Sequence, residues 1–143
     1  MFSIVFENNT NRNINLKKLQ EISDYLNAGE IELILTNNDE IREINLNTRG
    51  IDKPTDVLSF PYDSMPNTPL GSIVISNDFV EQYSKEYNHS YEDEFTLLFI
   101  HALLHLLGYD HENDNGEHRK KEEELIKIFK LPTSLIVRVL EDK

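Results

Sequence analysis

Cysteine and tryptophan are both missing from the 143 residues. Without a thiol there is no disulfide, no Fe–S cluster, no Cys-ligated zinc and no cysteine nucleophile. Long apolar runs are missing too: no window approaches the roughly 18 apolar residues of a membrane span. The first residues, Met1-Phe2-Ser3-Ile4-Val5-Phe6-Glu7, have neither the basic flank nor the long apolar core of a signal peptide. The expectation is a soluble, cytoplasmic protein with no membrane partner. Positive charge is scarce: 14 Lys and Arg stand against 26 Asp and Glu, for a net charge of -12. A generic nucleic-acid binder carries the opposite excess, so bulk charge speaks against RNA or DNA unless a local basic patch overrides it. What is present suffices for a folded domain. Hydrophobic residues make up 38%, including seven Phe and six Tyr, and a chain of this length can bury about two-thirds of its unfolded surface.

No internal repeat, low-complexity tract or long linker interrupts the chain, so residues 1–143 read as one domain. Residues 2–6 alternate like a strand, and 8–11 read as a turn. Leu16, Leu19, Ile22, Tyr25 and Leu26 follow helical spacing. Residues 31–35 alternate as a strand, after which Thr36 or Asn37 can cap a helix through Ile41, Ile44 and Leu46. The stretch from Thr48 to Pro69 holds Gly50 and Pro54, Pro61, Pro66 and Pro69, and reads as loop broken by a strand at 57–60. Gly71 opens a strand through Ile73-Val74-Ile75, and Ser76 or Asn77 can cap the helix that follows. Residues 92–107 predict the strongest helix, apolar nearly all round and therefore buried. Gly108 ends it. A charged helix from about 116 to 130 turns Leu125, Ile126 and Phe129 inward. Four strands with four or five helices predict an α+β fold with a small mixed four-stranded sheet and helices, or a mixed sheet with its helices on one side.

The chemistry concentrates in His101-Ala102-Leu103-Leu104-His105-Leu106-Leu107-Gly108-Tyr109-Asp110-His111. On a helix His101 and His105 project from one face, one turn apart. Gly108 lets the chain leave the helix and turn back, which can bring His111 to the same point. Three neutral imidazoles there suit zinc, with a fourth position left open, as in catalytic rather than structural sites. Asp110 reads either as a carboxylate orienting a ligand or as a solvated turn residue. The spacing is also that of the His-Glu-x-x-His-x-x-Gly-x-x-His zinc peptidases. Their general base is Ala102 here, and their later Met-turn has no counterpart, the only methionines being Met1 and Met65.

Residues 101–111 closely resemble the His-Gly-x-Leu-His-Leu-x-Gly-Tyr-Asp-His signature of the YbeY family of bacterial metallo-endoribonucleases. Residues 46–61, Leu-Asn-Thr-Arg-Gly-Ile-Asp-Lys-Pro-Thr-Asp-Val-Leu-Ser-Phe-Pro, resemble its second signature, and residues 70–76 its Gly-Asp-Ile-x-Ile strand. The resemblance implies a zinc-hydrolase-like fold with a central metal-binding helix and one Zn2+ held by His101, His105 and His111. It implies cleavage of single-stranded RNA, in maturing the 3′ end of 16S ribosomal RNA and in quality control of 70S ribosomes. The implied partners are ribosomal RNA, the ribosome or its small subunit, and ribosomal proteins or a GTPase assembly factor. Arg49 falls on the motif arginine, with an implied role at the substrate phosphate. Two positions depart from the pattern: Ala102 replaces a glycine, and Ser72 replaces the aspartate of Gly-Asp.

A zinc-held His₃ site generates hydroxide from water near neutral pH without a protein base, in keeping with Ala102. Arg49 could grip a phosphate with two parallel donors. Two rivals stand beside this reading: a zinc peptidase, and a metal-stabilised ribosome-assembly adaptor with little turnover. Lys53, Thr55 and Asp56 could line the cleft or simply make a turn. His89 and His118 read as surface residues. Residues 117–124 read as a solvated helix face, although Arg119, Lys120, Lys121, Lys127 and Lys130 form the one local basic cluster.

Overall fold

The computed structural model describes residues 4–62, 68–110 and 113–132. Within them the strands are β1 (Ile4–Asn8), β2 (Ile31–Thr36), β3 (Val57–Pro61) and β4 (Gly71–Ser76), and the helices α1 (Lys17–Tyr25), α2 (Asn38–Arg49), α3 (Asn77–Glu86), α4 (Tyr91–Leu106) and α5 (Glu117–Ile128). Phe2, Ser3, Met65 and Pro66 lie outside the described residues. The sheet runs β1-β2-β4-β3, with β1, β2 and β4 parallel and β3 antiparallel on β4. This is the mixed four-stranded α+β fold that the sequence predicts.

Strand alternation sets the layers, since successive side chains leave opposite faces. Leu33, Leu35, Ile73 and Ile75 face the main core with Leu19 and Ile22 of α1, Val80 of α3 and much of α4. Ile34, Leu58 and Val74 face the other way, against Ile41 and Ile44 of α2. Helices therefore cover both faces rather than one, a correction to the simpler layout. Parity decides it: the strands are apolar on both sides, and α2 covers the second.

Helix starts follow their sequence signals. Asn37 Oδ1 accepts from Glu40 N at 3.0 Å, Ser76 Oγ from Phe79 N at 3.4 Å and Ser90 Oγ from Asp93 N at 3.1 Å, each satisfying an amide with no partner inside its helix. Glu92, Asp93 and Glu94 then place negative charge in the first turn of α4, where the helix dipole favours it. The rest of α4 is buried on most sides, with Phe99, Ile100, Leu103 and Leu104 fully enclosed. Each such side chain stabilises the fold by about 1.5–3 kcal/mol. α4 lies across β3 and β4, and one glycine permits that approach. A Cβ on Gly71 would stand 2.5 Å from the Phe60 carbonyl oxygen and 2.8 Å from Leu106 Cδ2.

Candidate metal centre

His101 and His105 sit one turn apart near the C-terminal end of α4, on its least covered side. The His101 side chain is 26% exposed, and His105 is exposed. α4 then stops in a tight closure: Tyr109 N donates to Leu104 O at 3.0 Å and Gly108 N to His105 O at 3.1 Å. That pattern requires a left-handed residue between, and Gly108 supplies φ +105°. The chain thus leaves the helix through Gly108, three residues after His105, as the sequence predicts. His111 lies outside the described residues. Asp110 accepts from Asn113 Nδ2 at 2.7 Å, the contact of a turn residue.

The back of the site comes from α5. His101 Nδ1 lies 2.7 Å from Glu122 Oε1, and His118 Nε2 lies 3.1 Å from the same oxygen. His118 Nε2 is also 3.1 Å from the His101 carbonyl oxygen, and the two rings stack at 4.6 Å. His118 is fully buried and the Glu122 side chain is 4% exposed, so both are core residues rather than surface ones. This corrects the reading of 117–124 as wholly solvated; the Lys121–Glu124 pair at 3.2 Å keeps that character. His89 is corrected too: its Nε2 lies 2.6 Å from Glu94 Oε1, with side chains 2% and 0% exposed. The sequence is compatible with this burial without deciding it. Stepping back from Leu125 and Ile126 by helical spacing reaches positions 122 and 118 on the same face.

Among the described residues His101, His118 and Glu122 form a group able to hold a metal ion, with ligand atoms within 4.8 Å of one another. Imidazole nitrogens and a carboxylate suit zinc and its neighbours. As arranged, however, the group shares protons. Two ligands of a tetrahedral zinc stand about 3.3 Å apart, whereas His101 Nδ1 and Glu122 Oε1 are at hydrogen-bond distance, 2.7 Å. Nδ1 being committed to Glu122, ligation from His101 falls to Nε2, the same side of the ring arrangement that metal-binding histidines use when a carboxylate holds them from behind.

Arg49 is the last residue of α2, exposed, with Gly50 at φ +72° immediately after it. Its guanidinium is joined to neither histidine by a hydrogen bond or ion pair. The loop beyond it is fixed from α2: Arg42 donates to both carboxylate oxygens of Asp52 at 2.7 and 3.2 Å, and Asn45 Nδ2 donates to the Lys53 carbonyl at 2.9 Å. The Arg42 guanidinium holds the Asp52 carboxyl below its ordinary range. Thr55 and Asp56 make turn contacts, with Asp56 Oδ1 accepting from Val57 N at 2.8 Å. At position 72 the missing carboxylate has a neighbour: Ser72 pairs in register with Glu32, which accepts from Tyr62 Oη at 2.6 Å. Among the described residues no helix is long and apolar enough to cross a membrane.

Residues 4–130 match the family model described as endoribonuclease YbeY. An endoribonuclease YbeY of Aliarcobacter butzleri is 60% identical over 137 residues, spanning 94% of this chain and 98% of that protein. One from Sulfurimonas denitrificans is 58% identical over 135 residues, covering 94% and 97%. Among solved structures, the solution structure of a Thermotoga maritima protein superposes with a TM-score of 0.56 at 30% identity, covering 93% of this chain and 95% of that one.

Proposed function

The chain belongs to the endoribonuclease YbeY family, and from that premise we propose that it is a metal-dependent endoribonuclease of single-stranded RNA whose metal is held by His101, His105 and His111. The observation that carries this reading is the pair of imidazoles one turn apart on the open side of α4, the first anchored through Nδ1 to a buried carboxylate. Zinc in such a site supplies Lewis acidity and a local positive charge at a phosphate. The chain's own residues do the rest. Glu122 orients the His101 ring, Gly108 ends α4 in a left-handed turn, and Arg49 binds the substrate phosphate through paired donors. Cleavage would serve 3′-end maturation of 16S ribosomal RNA and quality control of 70S ribosomes in the cytoplasm. The corresponding partners are ribosomal RNA, the small subunit, and ribosomal proteins or a GTPase assembly factor.

The peptidase alternative loses ground in the structure. The residue at its general-base position, Ala102, is 2% exposed and packed in the main core. An adaptor without turnover is distinguished by experiment. Untagged wild-type protein and His105→Ala are analysed for metal content and for cleavage of single-stranded against double-stranded RNA. The proposal expects about one zinc per chain and single-strand cleavage in the wild type, both lost in the variant. Full zinc with no cleavage of any RNA would favour the adaptor, and equal zinc in both proteins would remove His105 from the site.

A further inference from the structure

The buried contact between α5 and α4 has a donor–acceptor logic that can be read without titrating any group. The His101 carbonyl oxygen can only accept, so His118 Nε2, 3.1 Å away, carries a proton. The same nitrogen stands 3.1 Å from Glu122 Oε1, and a carboxylate oxygen accepts rather than donates. The second nitrogen facing Oε1, His101 Nδ1 at 2.7 Å, must then be the donor. We infer that Glu122 and His118 are positioning residues of the metal centre: His118 aims the Glu122 carboxylate, and Glu122 fixes His101 as the Nδ1–H tautomer with Nε2 as its ligating atom. This inference rests on the proposed His101 ligation and extends it to two residues on another helix.

The surroundings support a positioning role. His118 and Glu122 stand one turn apart on α5, in the same buried row as Leu125 and Ile126, so their position is set by the packing of α5 on α4. Stacking of the His118 ring on His101 at 4.6 Å further restricts rotation of the ligand. A buried carboxylate is stable only when donors or positive charge meet it, and here His101 Nδ1 stands at 2.7 Å, with His118 Nε2 beside it at 3.1 Å. Carboxylates of this kind orient metal-binding histidines, and removing one weakens metal affinity about 10- to 100-fold.

The test uses the full chain, zinc alone as probe, and two readouts other than activity. In metal-free wild-type protein, long-range 1H–15N NMR of the imidazoles should show His101 protonated at Nδ1; a bare Nδ1 overturns the inference even if no variant folds. Zinc affinity is then measured by chelator competition for wild type, Glu122→Gln, His118→Gln and His105→Ala. The expected order is wild type tightest, Glu122→Gln weaker by about 10- to 100-fold with one zinc still bound at saturation, and His105→Ala without tight binding. Unchanged affinity in Glu122→Gln, with binding lost in His105→Ala, refutes the positioning role and leaves the His cage standing. Zinc retained in His105→Ala but abolished in His118→Gln refutes both, and would place the ion on the His101, His118 and Glu122 group itself.

Discussion

At the residue scale, the two histidines of α4 separate stability from metal binding. His105 is exposed, and exposed substitutions away from special features usually change stability by no more than about 0.5 kcal/mol. His105→Ala should therefore unfold at nearly the wild-type urea midpoint when both proteins are metal-free, yet lose its zinc. Gly71 behaves oppositely. Its added Cβ would press on backbone, 2.5 Å from the Phe60 carbonyl oxygen, which a side-chain rotation cannot relieve. Gly71→Ala should cost about 1–3 kcal/mol, seen as a lower urea midpoint with an unchanged slope. Gly108 and its left-handed turn are legible in the sequence because a glycine after an apolar helix is a local signal. The partner of His101 is not. Viewed along the chain, that imidazole has mostly apolar neighbours and no carboxylate within a helical turn; its carboxylate arrives from 21 residues further on.

At the scale of elements, α5 is where sequence and structure part company. Charged residues dominate 117–124, and their pattern supports a solvated helix as well as it supports a buried row at 118, 122, 125 and 126. Only docking on α4 chooses between them. The same holds for α2, whose side of the sheet depends on strand parity and on which apolar face remains uncovered. Elements whose signals are local, such as the caps at Asn37 and Ser76, were legible without the fold. Ile126 is fully buried against Leu97 at the α4–α5 contact, so Ile126→Ala should cost about 2–5 kcal/mol in chemical unfolding. Because the same contact seats Glu122 behind His101, zinc affinity should fall in this variant as well. The Arg42–Asp52 pair ties α2 to the loop after Arg49. Asp52's lowered folded pKa makes its contribution present above the ordinary carboxyl range, and lost as pH falls through the lowered value.

At the scale of the whole molecule, a chain of net charge -12 has to bind RNA against its own field. Arg49, exposed at the end of α2 and without an ion-pair partner among the described residues, is suited to a direct phosphate contact. Each neutralised phosphate on a single strand adds about 0.7 to the slope of log affinity against log salt. Arg49→Ala should reduce that slope by about this amount and weaken RNA binding, with zinc content unchanged. An unaltered slope would take Arg49 off the phosphate and shift attention to the basic residues of α5 and just beyond it, of which Lys120, Lys127 and Lys130 are exposed.

The strand order has a consequence for the birth of the protein. β1 and β2 are parallel neighbours joined through α1, so they can pair as soon as residue 36 is available. β3 cannot. Its one strand partner among the described residues is β4, which is synthesised after it, and domains emerge from the ribosome N-terminus first. During that interval β3 waits unpaired, as does the β2 edge that β4 will occupy. β4 then closes both gaps at once, making its arrival the step that turns a two-stranded fragment into a complete sheet on which α4, with its two histidines, can settle.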